Sequence, residues 1–443
     1  MENTGVITLI HGHILTMNST GDYYSDGMIV IRNKRIDYVG PFDPMKVSGN
    51  VFDTADKLIL PGLINTHAHS GSALFRSLAD DLFLMDWLEN YMWPAERFQT
   101  KESAYIAAAL THLEFLQNGI TTNADMWYFP ESVAQAVLES GLRTFICSTI
   151  FTKGSPESKD TLGVAANFVE KYKGRSEETR IYPAYGPHAI YTCSQETLRE
   201  VAELAKRDHV LIHTHISETS GEQKACLERL GMTPSQAMKD VGIFENHVLA
   251  AHCIYLSEED REIFRENHAA ISYNPVSNLK LCSGILPLEK MLNNDICVSI
   301  GTDGPQSNNS LDLLRDLKIG SLIQKNELKN PRFLPAEKAL RMATIDGAKA
   351  LGMEKEIGSL EAGKRADIIT LDTNRAVMIP LLDEKPASLY SQVVYAASGS
   401  NVCDVFVDGE CLMKNRQELR VDRQYISKTA QEIAKSSIKK NGL

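Results

Sequence analysis

Residues 61–69, with the sequence PGLINTHAH, decide the fold. A short apolar run ends here in two histidines that are separated by one residue. Because side chains alternate between the two faces of a strand, His67 and His69 point the same way. Active sites of α/β barrels lie at the carboxyl ends of the strands, so this pair predicts the first strand of such a barrel. Another pair with the same spacing, His11 and His13, lies outside this context and has no predicted role.

Eight β-rich runs alternate with segments of helical periodicity, which is the pattern of a parallel α/β sheet. Residues 197–207, for example, have apolar side chains at helical spacing. The runs are 58–67, 119–127, 143–150, 180–188, 209–217, 247–255, 269–274 and 297–303. Strands that are each followed by helical sequence predict a closed (β/α)8 barrel. An open doubly wound sheet is the alternative, but no glycine-rich dinucleotide-binding loop follows the first run.

The sequence at the two ends of the chain shows short strand patterns without the alternating helical segments of the middle part. Near the N-terminus, Asn33-Lys34 separates two short β-rich runs, and near the C-terminus Asp408-Gly409 is a hairpin signal. We therefore predict a composite β-sandwich from residues 1–60 plus 357–443, beside a (β/α)8 barrel over residues 61–356. A length of 443 residues is compatible with two domains of this size.

The composition is that of an ordinary globular chain and excludes several functions. Lys and Arg total 46 against 57 for Asp and Glu, and the net charge of -11 argues against a nucleic-acid partner. No uncharged apolar run approaches the ~18 residues of a membrane span. The N-terminus lacks the basic segment of a signal peptide, so we expect a cytoplasmic protein with no membrane partner. The eight cysteines form no CxxC pair, and we expect them to be reduced and buried.

Three other runs end in residues that can bind metals or transfer protons. The fifth run ends near His215, with Glu218 three residues later, the sixth reaches His252, and the eighth ends at Asp303. Packing does not explain such side chains at so many strand ends, although an aspartate there can also cap the next helix. His213 shares the face of His215 one layer deeper, and we predict a hydrogen-bonded residue of the barrel interior.

Three neutral imidazoles and one carboxylate form a ligand set for a divalent metal. The set suits Zn²⁺, and Fe²⁺ and Mn²⁺ also accept imidazole and carboxylate ligands. An open coordination position would lower the pKa of a bound water from ~15.7 toward ~7 and supply a nucleophile at neutral pH. Asp303 would accept the proton of this water, and Glu218 would protonate a ring nitrogen of the substrate. The sequence thus predicts hydrolysis without a covalent enzyme intermediate.

Five motifs resemble those of one protein superfamily. They are PGLINTHAH at 61–69, HTHISET at 213–219, AAHC at 250–253, GTDGPQSNNS at 301–310 and GSLEAGKRADII at 358–369. Taken together they resemble the amidohydrolase superfamily, in particular its branch of cyclic-amidine deaminases and triazine hydrolases, which includes 5′-methylthioadenosine/S-adenosylhomocysteine deaminases. The resemblance spans nearly the whole chain. It implies a (β/α)8 barrel beside a small β-sandwich made from both termini, in agreement with the strand pattern.

The resemblance also implies roles for the residues at the strand ends. One metal would be held by His67, His69, His215 and Asp303. His252 would hydrogen-bond the hydrolytic water or the attacked centre without binding the metal, and Glu218 would carry the proton to the ring nitrogen. Relatives with two metals place a carboxylated lysine on the fourth strand, and the fourth run, 180–188, contains no lysine. We therefore expect one metal.

Three further residues match substrate-binding positions of that branch. Trp87 would pack near the ligand, Glu96 would bind the ribose hydroxyls, and His188 would contact the purine or the ribose. Ordinary helix packing is the alternative for Trp87, and a solvated helix charge is the alternative for Glu96. Members that take S-adenosylhomocysteine hold its carboxylate with arginines after the third strand, whereas residues 151–160 contain lysines and no arginine. This departure argues against the homocysteine-bearing substrate.

The leading hypothesis is a metal-dependent deaminase of a 6-aminopurine nucleoside, namely 5′-methylthioadenosine, S-adenosylhomocysteine or adenosine. The second is a hydrolase of another amino- or chloro-heterocycle, such as an s-triazine, guanine or cytosine. Glu96 argues against the second, because a bare heterocycle has no ribose to bind. The third is a barrel that serves as a non-catalytic scaffold, and the complete ligand set argues against it. The expected partner is a small molecule, and a homo-oligomer is left open.

Overall fold

The computed structural model describes residues 5–441. The strands in this part of the chain are β1 (Val6–Leu15), β2 (Tyr23–Arg32), β3 (Arg35–Pro41), β4 (Asn50–Asp53), β5 (Lys57–Pro61), β6 (Leu63–Ala68), β7 (Ile120–Trp127), β8 (Arg143–Ile150), β9 (Ile181–Pro187), β10 (Ile212–Ile216), β11 (Val248–His252), β12 (Ala270–Tyr273), β13 (Val298–Ile300), β14 (Ile368–Asp372), β15 (Val402–Val407), β16 (Glu410–Lys414) and β17 (Gln417–Glu418).

The helices of the same part of the chain are α1 (Leu84–Trp87), α2 (Trp93–Glu96), α3 (Lys101–Gln117), α4 (Pro130–Ser140), α5 (Thr161–Tyr172), α6 (Ser176–Thr179), α7 (Gln195–Asp208), α8 (Ser220–Leu230), α9 (Pro234–Asp240), α10 (Glu258–Glu266), α11 (Pro275–Lys280), α12 (Leu288–Asn293), α13 (Pro305–Asn308), α14 (Leu313–Glu327), α15 (Ala336–Met342), α16 (Ile345–Ala350), α17 (Pro386–Ser391) and α18 (Arg423–Asn441). Ser70–Phe75 forms a 3-10 helix. Between residues 5 and 441, no helix is both long and apolar enough to cross a membrane.

Strands β6 to β13 form a parallel barrel. Each strand pairs with the next one along the chain, and β7 and β8 are buried over their whole length, as expected for strands that are covered on both faces. A backbone bridge joins Ala68, at the end of β6, to Asp303, just after β13. This bridge brings the first and last strands together, so the barrel is nearly closed. The predicted (β/α)8 barrel is confirmed.

The first predicted run is two strands rather than one. β5 ends at Pro61 and pairs with β1 and β14, whereas β6 begins at Leu63 and belongs to the barrel. Gly62 separates the two strands, and a β-carbon at this position would overlap the side chain of Thr121. The prediction of one strand over 58–67 was wrong, because an apolar run does not show in which sheet each residue pairs.

The remaining strands form one mixed sheet from the two ends of the chain. Its order is β17-β16-β15-β14-β5-β1-β2-β3, and β4 also pairs with β1. Both predicted turns are present. Asn33-Lys34 joins β2 to β3, and Asp408-Gly409 joins β15 to β16, each with positive φ at both turn residues as in a type I′ hairpin. The predicted β-sandwich domain formed by both termini is therefore confirmed as one mixed sheet.

The described chain divides into two compact units. The first contains the residues up to Asn65, Glu114–Thr122 and Asp312–Val421, and the second contains Thr66–Leu113, Asn123–Leu311 and the chain from Asp422 onward. The candidate site residues, from His67 to Asp303, all belong to the second unit. The domain bounds inferred from the sequence, 1–60 plus 357–443 and 61–356, stay a prediction.

The cysteines agree only in part with expectation. All carry free thiols, and Cys147, Cys193, Cys226 and Cys253 are buried as predicted. Cys282 is exposed, and Cys297, Cys403 and Cys411 are partly exposed. The prediction was wrong for these last four, because apolar neighbours in sequence do not show which side of a loop or strand faces solvent.

Candidate metal and substrate site

The four predicted metal ligands converge at the carboxyl end of the barrel. His67 lies in β6 with His69 just beyond it, His215 lies in β10, and Asp303 follows β13. The Nε2 atoms of His67 and His69 lie 3.3 and 3.2 Å from Oδ1 of Asp303. Nε2 of His215 lies 3.3 Å from Nε2 of His69. Three strands that are distant in sequence thus bring four ligand atoms to one place.

His69 and His215 each donate a hydrogen bond from the second ring nitrogen, Nδ1, to a backbone carbonyl oxygen. Nδ1 of His69 lies 2.7 Å from the carbonyl oxygen of Met126, and Nδ1 of His215 lies 2.7 Å from the carbonyl oxygen of His188. A carbonyl oxygen only accepts, so each Nδ1 carries the ring proton and each Nε2 presents a lone pair. This is the arrangement of metal-binding imidazoles, whose second nitrogen is usually held by a protein acceptor.

His67 also carries its ring proton on Nδ1, because Nδ1 donates a hydrogen bond to another histidine, His213. Nδ1 of His213 lies 2.8 Å from the carbonyl oxygen of Leu249 and donates to it. Burial lowers the pKa of His213 to about 4, so its Nε2 is an acceptor at neutral pH. Nδ1 of His67 therefore donates to this atom across 2.7 Å. The predicted interior position of His213 is confirmed, and its hydrogen bond also orients His67.

These donor atoms fit a small divalent cation. The Nε2 lone pairs and the carboxylate oxygen face one another at 3.2–3.3 Å and repel unless a cation or a proton lies between them. Four ligands arranged tetrahedrally at the zinc–nitrogen distance of ~2.0–2.1 Å are separated by about 3.3 Å. At His69, burial alone lowers the pKa but the Asp303 carboxylate raises it, so a proton and a metal compete for this position. The four residues could hold Zn²⁺ or a cation of similar size.

At His252 the roles of the two ring nitrogens are reversed relative to His69 and His215. Its Nδ1 lies 2.7 Å from the amide nitrogen of Asn278 and 3.4 Å from that of Asn274. The Asn274 amide is oriented by Ser272, whose hydroxyl donates to its Oδ1. Nδ1 of His252 therefore accepts, and the ring proton lies on Nε2, which cannot bind a metal in this state. Nε2 lies 3.8 Å from Oε2 of Glu218 and is able to donate toward a substrate.

The strand ends of the site have unusual backbone conformations. The φ angle is 72° at His252, 61° at Asp303 and 53° at Ser217, the residue before Glu218. Residues with a β-carbon pay about 1–2 kcal/mol for this left-handed region. Such conformations persist at functional sites where the surrounding structure imposes them. They redirect the chain at each strand end, and the sequence carries no glycine or asparagine to announce them.

Glu218 is buried and held by two neighbours. The backbone N–H groups of Ser217 and Glu218 donate to the carboxylate of Glu222 at 3.1 and 2.8 Å. The hydroxyl of Ser283 donates to Oε1 of Glu218 across 3.0 Å. Burial raises the pKa of Glu218, so more of this carboxyl is protonated near neutral pH than in an exposed glutamate. The group is therefore suited to donate a proton.

The predicted substrate-binding residues line the same cavity as the catalytic candidates. The inner pocket has a volume of about 60 Å³. Among the residues that line it are His69, Trp87, Glu96, His188, His215, Glu218, His252 and Asp303. His67 lies behind this lining and is fully buried. The structure therefore brings all of the predicted site residues together.

Glu96 and Trp87 are part of the pocket wall rather than of a solvated helix face. Glu96 is only 6% exposed, and the hydroxyl of Tyr128 donates to its Oε2 across 3.1 Å. Burial raises the pKa of Glu96 to about 7. The indole Nε1 of Trp87 donates to the carbonyl oxygen of Ala79 across 3.1 Å, which fixes the ring at the edge of the pocket.

The ring of His188 packs against two other rings. Its centroid lies 4.7 Å from that of Phe151, on which it is stacked, and 4.7 Å from that of His215, to which it is tilted. Burial lowers the pKa of His188 to about 3, so the imidazole is neutral. Its Nδ1 is held by the hydroxyl of Thr192 at 3.0 Å. A neutral, fixed ring of this kind can contact a purine or a sugar.

An outer chamber of about 650 Å³ shares Glu96, Tyr128 and other wall residues with the inner pocket. Arg97 and Lys153 are among its lining residues. Lys153 comes from the segment after the third barrel strand, and Arg97 was not predicted. The chamber leaves space for a group attached to a ligand whose reacting end lies in the inner pocket.

Sequence reasoning missed most of the residues that hold the site residues in place. Tyr128 directly follows β7, so the strand-end rule that identified His252 could have found it. Glu222 lies in helix α8, and its role depends on the turn of the chain at Ser217. Ser277, Asn278 and Ser283 follow the seventh barrel strand, and nothing in their residue types indicates that they contact the site.

The chain belongs to the amidohydrolase family, whose model matches residues 58–412. It is 41% identical to a 5′-deoxyadenosine deaminase of Methanobrevibacter smithii over 407 residues, 92% of each chain. It is 40% identical to a 5-methylthioadenosine/S-adenosylhomocysteine deaminase of Caldanaerobacter subterraneus, over 93% of this chain and 94% of the relative. The family resemblance inferred from the motifs is therefore confirmed.

Solved structures share the fold over nearly the whole chain. An adenosine deaminase of Xanthomonas campestris with bound zinc has a TM-score of 0.92 and 27% identity, over 97% of this chain and 98% of that chain. An atrazine chlorohydrolase of Arthrobacter aurescens complexed with zinc has a TM-score of 0.89 and 23% identity, over 97% and 100% of the two chains. The second likeness concerns the fold alone.

Proposed function

We propose that this chain is a zinc-dependent hydrolytic deaminase of 6-aminopurine nucleosides. One observation carries the proposal: His69 and His215 donate from Nδ1 and present bare Nε2 atoms, whereas His252 accepts at Nδ1 and presents an N–H. Bare ligands beside a separate hydrogen-bond donor are what a hydrolytic metal site needs. Relatives that are named as deaminases of 5′-deoxyadenosine and of methylthioadenosine/S-adenosylhomocysteine support the class of substrate.

In the proposed reaction, each residue of the site has a separate role. A metal held by His67, His69, His215 and Asp303 would lower the pKa of a water molecule toward ~7 and so make a nucleophile available. Asp303 accepts the proton of the attacking water and later passes it to the leaving amino group. His252 donates a hydrogen bond from Nε2 at the attacked carbon C6.

Glu218 is the general acid of the proposal. Burial raises its pKa and so favours the protonated carboxyl, and Oε2 is the oxygen on the side of His252. Protonation of the purine N1 by Glu218 makes C6 more electrophilic. Ammonia then leaves, the remaining proton of the C6 hydroxyl returns to the Glu218 carboxylate, and the product is the 6-oxo, inosine-type nucleoside.

The wall of the pocket matches a nucleoside rather than a bare heterocycle. An ionised Glu96 can accept hydrogen bonds from the two ribose hydroxyls, while Tyr128 holds one of its oxygens. The neutral ring of His188, stacked on Phe151, offers a surface for the purine or the sugar. The outer chamber next to Glu96 has room for different 5′-substituents, which fits relatives named for several 5′-modified nucleosides.

The test is a comparison of nucleosides with the zinc-loaded protein. Adenosine, 5′-deoxyadenosine, methylthioadenosine and S-adenosylhomocysteine are incubated in turn, and purine absorbance and ammonia are followed. We expect turnover of at least one of them. Because a general acid contributes about 10²–10⁴-fold to a rate, Glu218→Gln should lower kcat by at least ~100-fold and retain zinc.

The matched control is Glu200→Gln, on an exposed position of helix α7, which should keep wild-type turnover. No absorbance change with any of the nucleosides would refute the proposed function. Full activity of Glu218→Gln would remove this residue from the mechanism while leaving the substrate class intact.

A further inference from the structure

We propose that the segment Asn274–Ser283, which follows the seventh barrel strand, is a positioning element for the three residues that handle protons in the site. The inference rests on the proposed deaminase function and adds residues that neither the motifs nor the relatives assign. From this one segment, Asn278 donates to His252, Ser277 donates to Asp303, and Ser283 donates to Glu218. In His252 and Glu218 the opposite atom lies on the pocket side, and in Asp303 it faces Nε2 of His67 and His69.

Asn278 selects the tautomer of His252. The amide nitrogens of Asn278 and Asn274 lie 2.7 and 3.4 Å from Nδ1, and two N–H donors beside this ring nitrogen favour its unprotonated form. With Nδ1 as an acceptor, the ring N–H lies at Nε2, on the side of Glu218. An acceptor at position 278 would reverse this choice. His252 would then present a lone pair to the pocket and would lose the donor that the reaction needs.

Ser277 orients the carboxylate of Asp303. Its hydroxyl donates to Oδ2 across 2.6 Å, and the hydroxyl of Ser307 donates to the same oxygen across 2.9 Å. With Oδ2 occupied, Oδ1 is the oxygen that faces Nε2 of His67 and His69. Two donors on one carboxylate oxygen fix the rotation of the group, which is the role that outer hydrogen bonds commonly have around metal ligands.

Ser283 determines which oxygen of Glu218 carries the transferable proton. Its hydroxyl donates to Oε1 across 3.0 Å. An oxygen that already accepts this hydrogen bond is the poorer place for the carboxyl proton, so the proton resides on Oε2. Oε2 is the oxygen 3.8 Å from Nε2 of His252, on the pocket side. Ser283 thus directs the acidic proton of Glu218 toward the pocket without contacting the substrate itself.

Burial and hydrogen bonds within the segment fix the positions of the three donor side chains. Its residues Ser277, Asn278 and Ser283 are buried. The backbone N–H of Ser283 donates to the carbonyl oxygen of Asn278 at 2.9 Å, and the hydroxyl of Tyr255 donates to the carbonyl oxygen of Ser283 at 2.8 Å. Asn274 closes the segment at its other end by a second contact to His252. Side chains held in this way lose little additional entropy when they orient a partner.

The experiment compares zinc-loaded Ser277→Ala, Asn278→Asp and Ser283→Ala, and each should affect its own partner. Outer hydrogen bonds at metal sites are worth about 10–100-fold, so Ser277→Ala should raise the zinc dissociation constant by at least ~10-fold. Ser283→Ala should lower kcat by about 10–100-fold with KM and zinc affinity within about twofold of wild type. Asn278→Asp should move the His252 proton to Nδ1, as observed in ¹H–¹⁵N spectra of histidine rings that are assigned with His252→Asn.

Cys282→Ala is the matched control, because Cys282 lies in the same segment with its side chain exposed. It should leave all three measurements unchanged. The cysteine variants of Ser277 and Ser283 keep the side-chain volume but donate weakly, so they replace any alanine variant that does not fold. Equal losses of zinc affinity and kcat in every variant would overturn the proposal, and so would a wild-type His252 with its proton on Nδ1. If the wild type deaminates no nucleoside, the proposed function fails, while zinc affinity and the histidine spectra still test the segment.

Discussion

A histidine ring can serve as a ligand or as a proton donor, and in this site the partner of Nδ1 decides which. Carbonyl oxygens hold His69 and His215 in the form that can bind a metal, and the amide of Asn278 holds His252 as a hydrogen-bond donor in the proposed site. His213 acts in the same way on His67, since its own Nδ1 is fixed by a carbonyl. The chemical role of each ring therefore depends on one neighbouring atom, at 2.7 Å in all four cases.

Glu96 should make nucleoside binding depend on pH. Its pKa is raised to about 7 by burial, and only the ionised carboxylate can accept two ribose hydroxyls. As pH falls below ~7 the protonated form accumulates and binding weakens, approaching about tenfold per pH unit. We expect the dissociation constant of inosine, measured by calorimetry, to rise from pH 8 to pH 5.5 in this way.

Two controls isolate Glu96 from other titrating groups. Glu96→Gln should bind inosine more weakly and with no inflection near pH 7. In the wild type, 2′,3′-dideoxyinosine lacks both hydroxyls and should show the same flat profile. A wild-type affinity for inosine that is constant over this range would exclude Glu96 as the ribose acceptor.

At the scale of single residues, the sequence predicted which side chains meet but not how they are oriented. His215 and Asp303 could be predicted because strand ends of a barrel meet at one edge. The tautomer of His252 could not, because it depends on Asn278, which lies in helix α11 after another barrel strand. The left-handed backbone at Asp303 was equally hidden, since its cause lies in the surrounding packing and not in the residue type.

Among the elements, the 3-10 helix Ser70–Phe75 ties the ligand His69 to the next strand. The amide of Gln99 donates to the carbonyl oxygen of Gly71 across 2.6 Å, and Trp127 donates to Gln99 across 2.8 Å. A β-carbon at Gly71 would overlap the indole of Trp127. The helix therefore lies so close to β7 that only a glycine fits at this position.

Gly71→Ala should consequently destabilise the fold and weaken metal binding. Overpacking of a dense core costs about 1–3 kcal/mol, and here the displaced helix begins directly after His69. Urea unfolding and zinc titration of the variant measure the two effects. Gly221→Ala is the control, because its β-carbon meets nothing nearer than 3.7 Å and lies in helix α8, where alanine is favourable. Equal stability of the two variants would contradict the close approach.

Secondary-structure elements were predictable where their pattern is local. The hairpin at Asp408-Gly409 has its cause within two residues, and helix α7 has its cause in the apolar periodicity of 197–207. The division of 58–67 into β5 and β6 was not predictable, because pairing partners such as β14 lie about 300 residues away along the chain.

For the whole molecule, a metal bound by the four proposed ligands would join strands from the beginning, the middle and the end of the barrel. A ligand that binds only the folded state stabilises it by about 2.7 kcal/mol at 100 times its dissociation constant. Removal of metal with a chelator should therefore lower the melting temperature, and added zinc should restore it. His215→Gln should melt at a temperature that is independent of zinc. A wild-type melting temperature that is unaffected by chelator and by zinc would contradict the ligand assignment.

The architecture as a whole was the most predictable level, because eight strand ends and two β-rich termini constrain each other. Because eight strands are predicted, the barrel is expected to close, and the bridge between Ala68 and Asp303 brings its first and last strands together. The nine-stranded sheet was predicted as a small β-sandwich from both termini, and its strand order, with β5 between β1 and β14, depends on long-range pairing.

The segment Asn274–Ser283 has a consequence for how related genomes are interpreted. Surface loops usually tolerate insertions and deletions, and their lengths vary freely among relatives. Here one inserted residue between Asn278 and Ser283 would carry the serine hydroxyl away from Glu218 while Ser277 stayed on Asp303. We therefore expect selection to preserve the length of this segment as strictly as it preserves a metal ligand. In an unfamiliar homologue, an intact spacing here would be a better sign of a working enzyme than the overall percentage of identical residues.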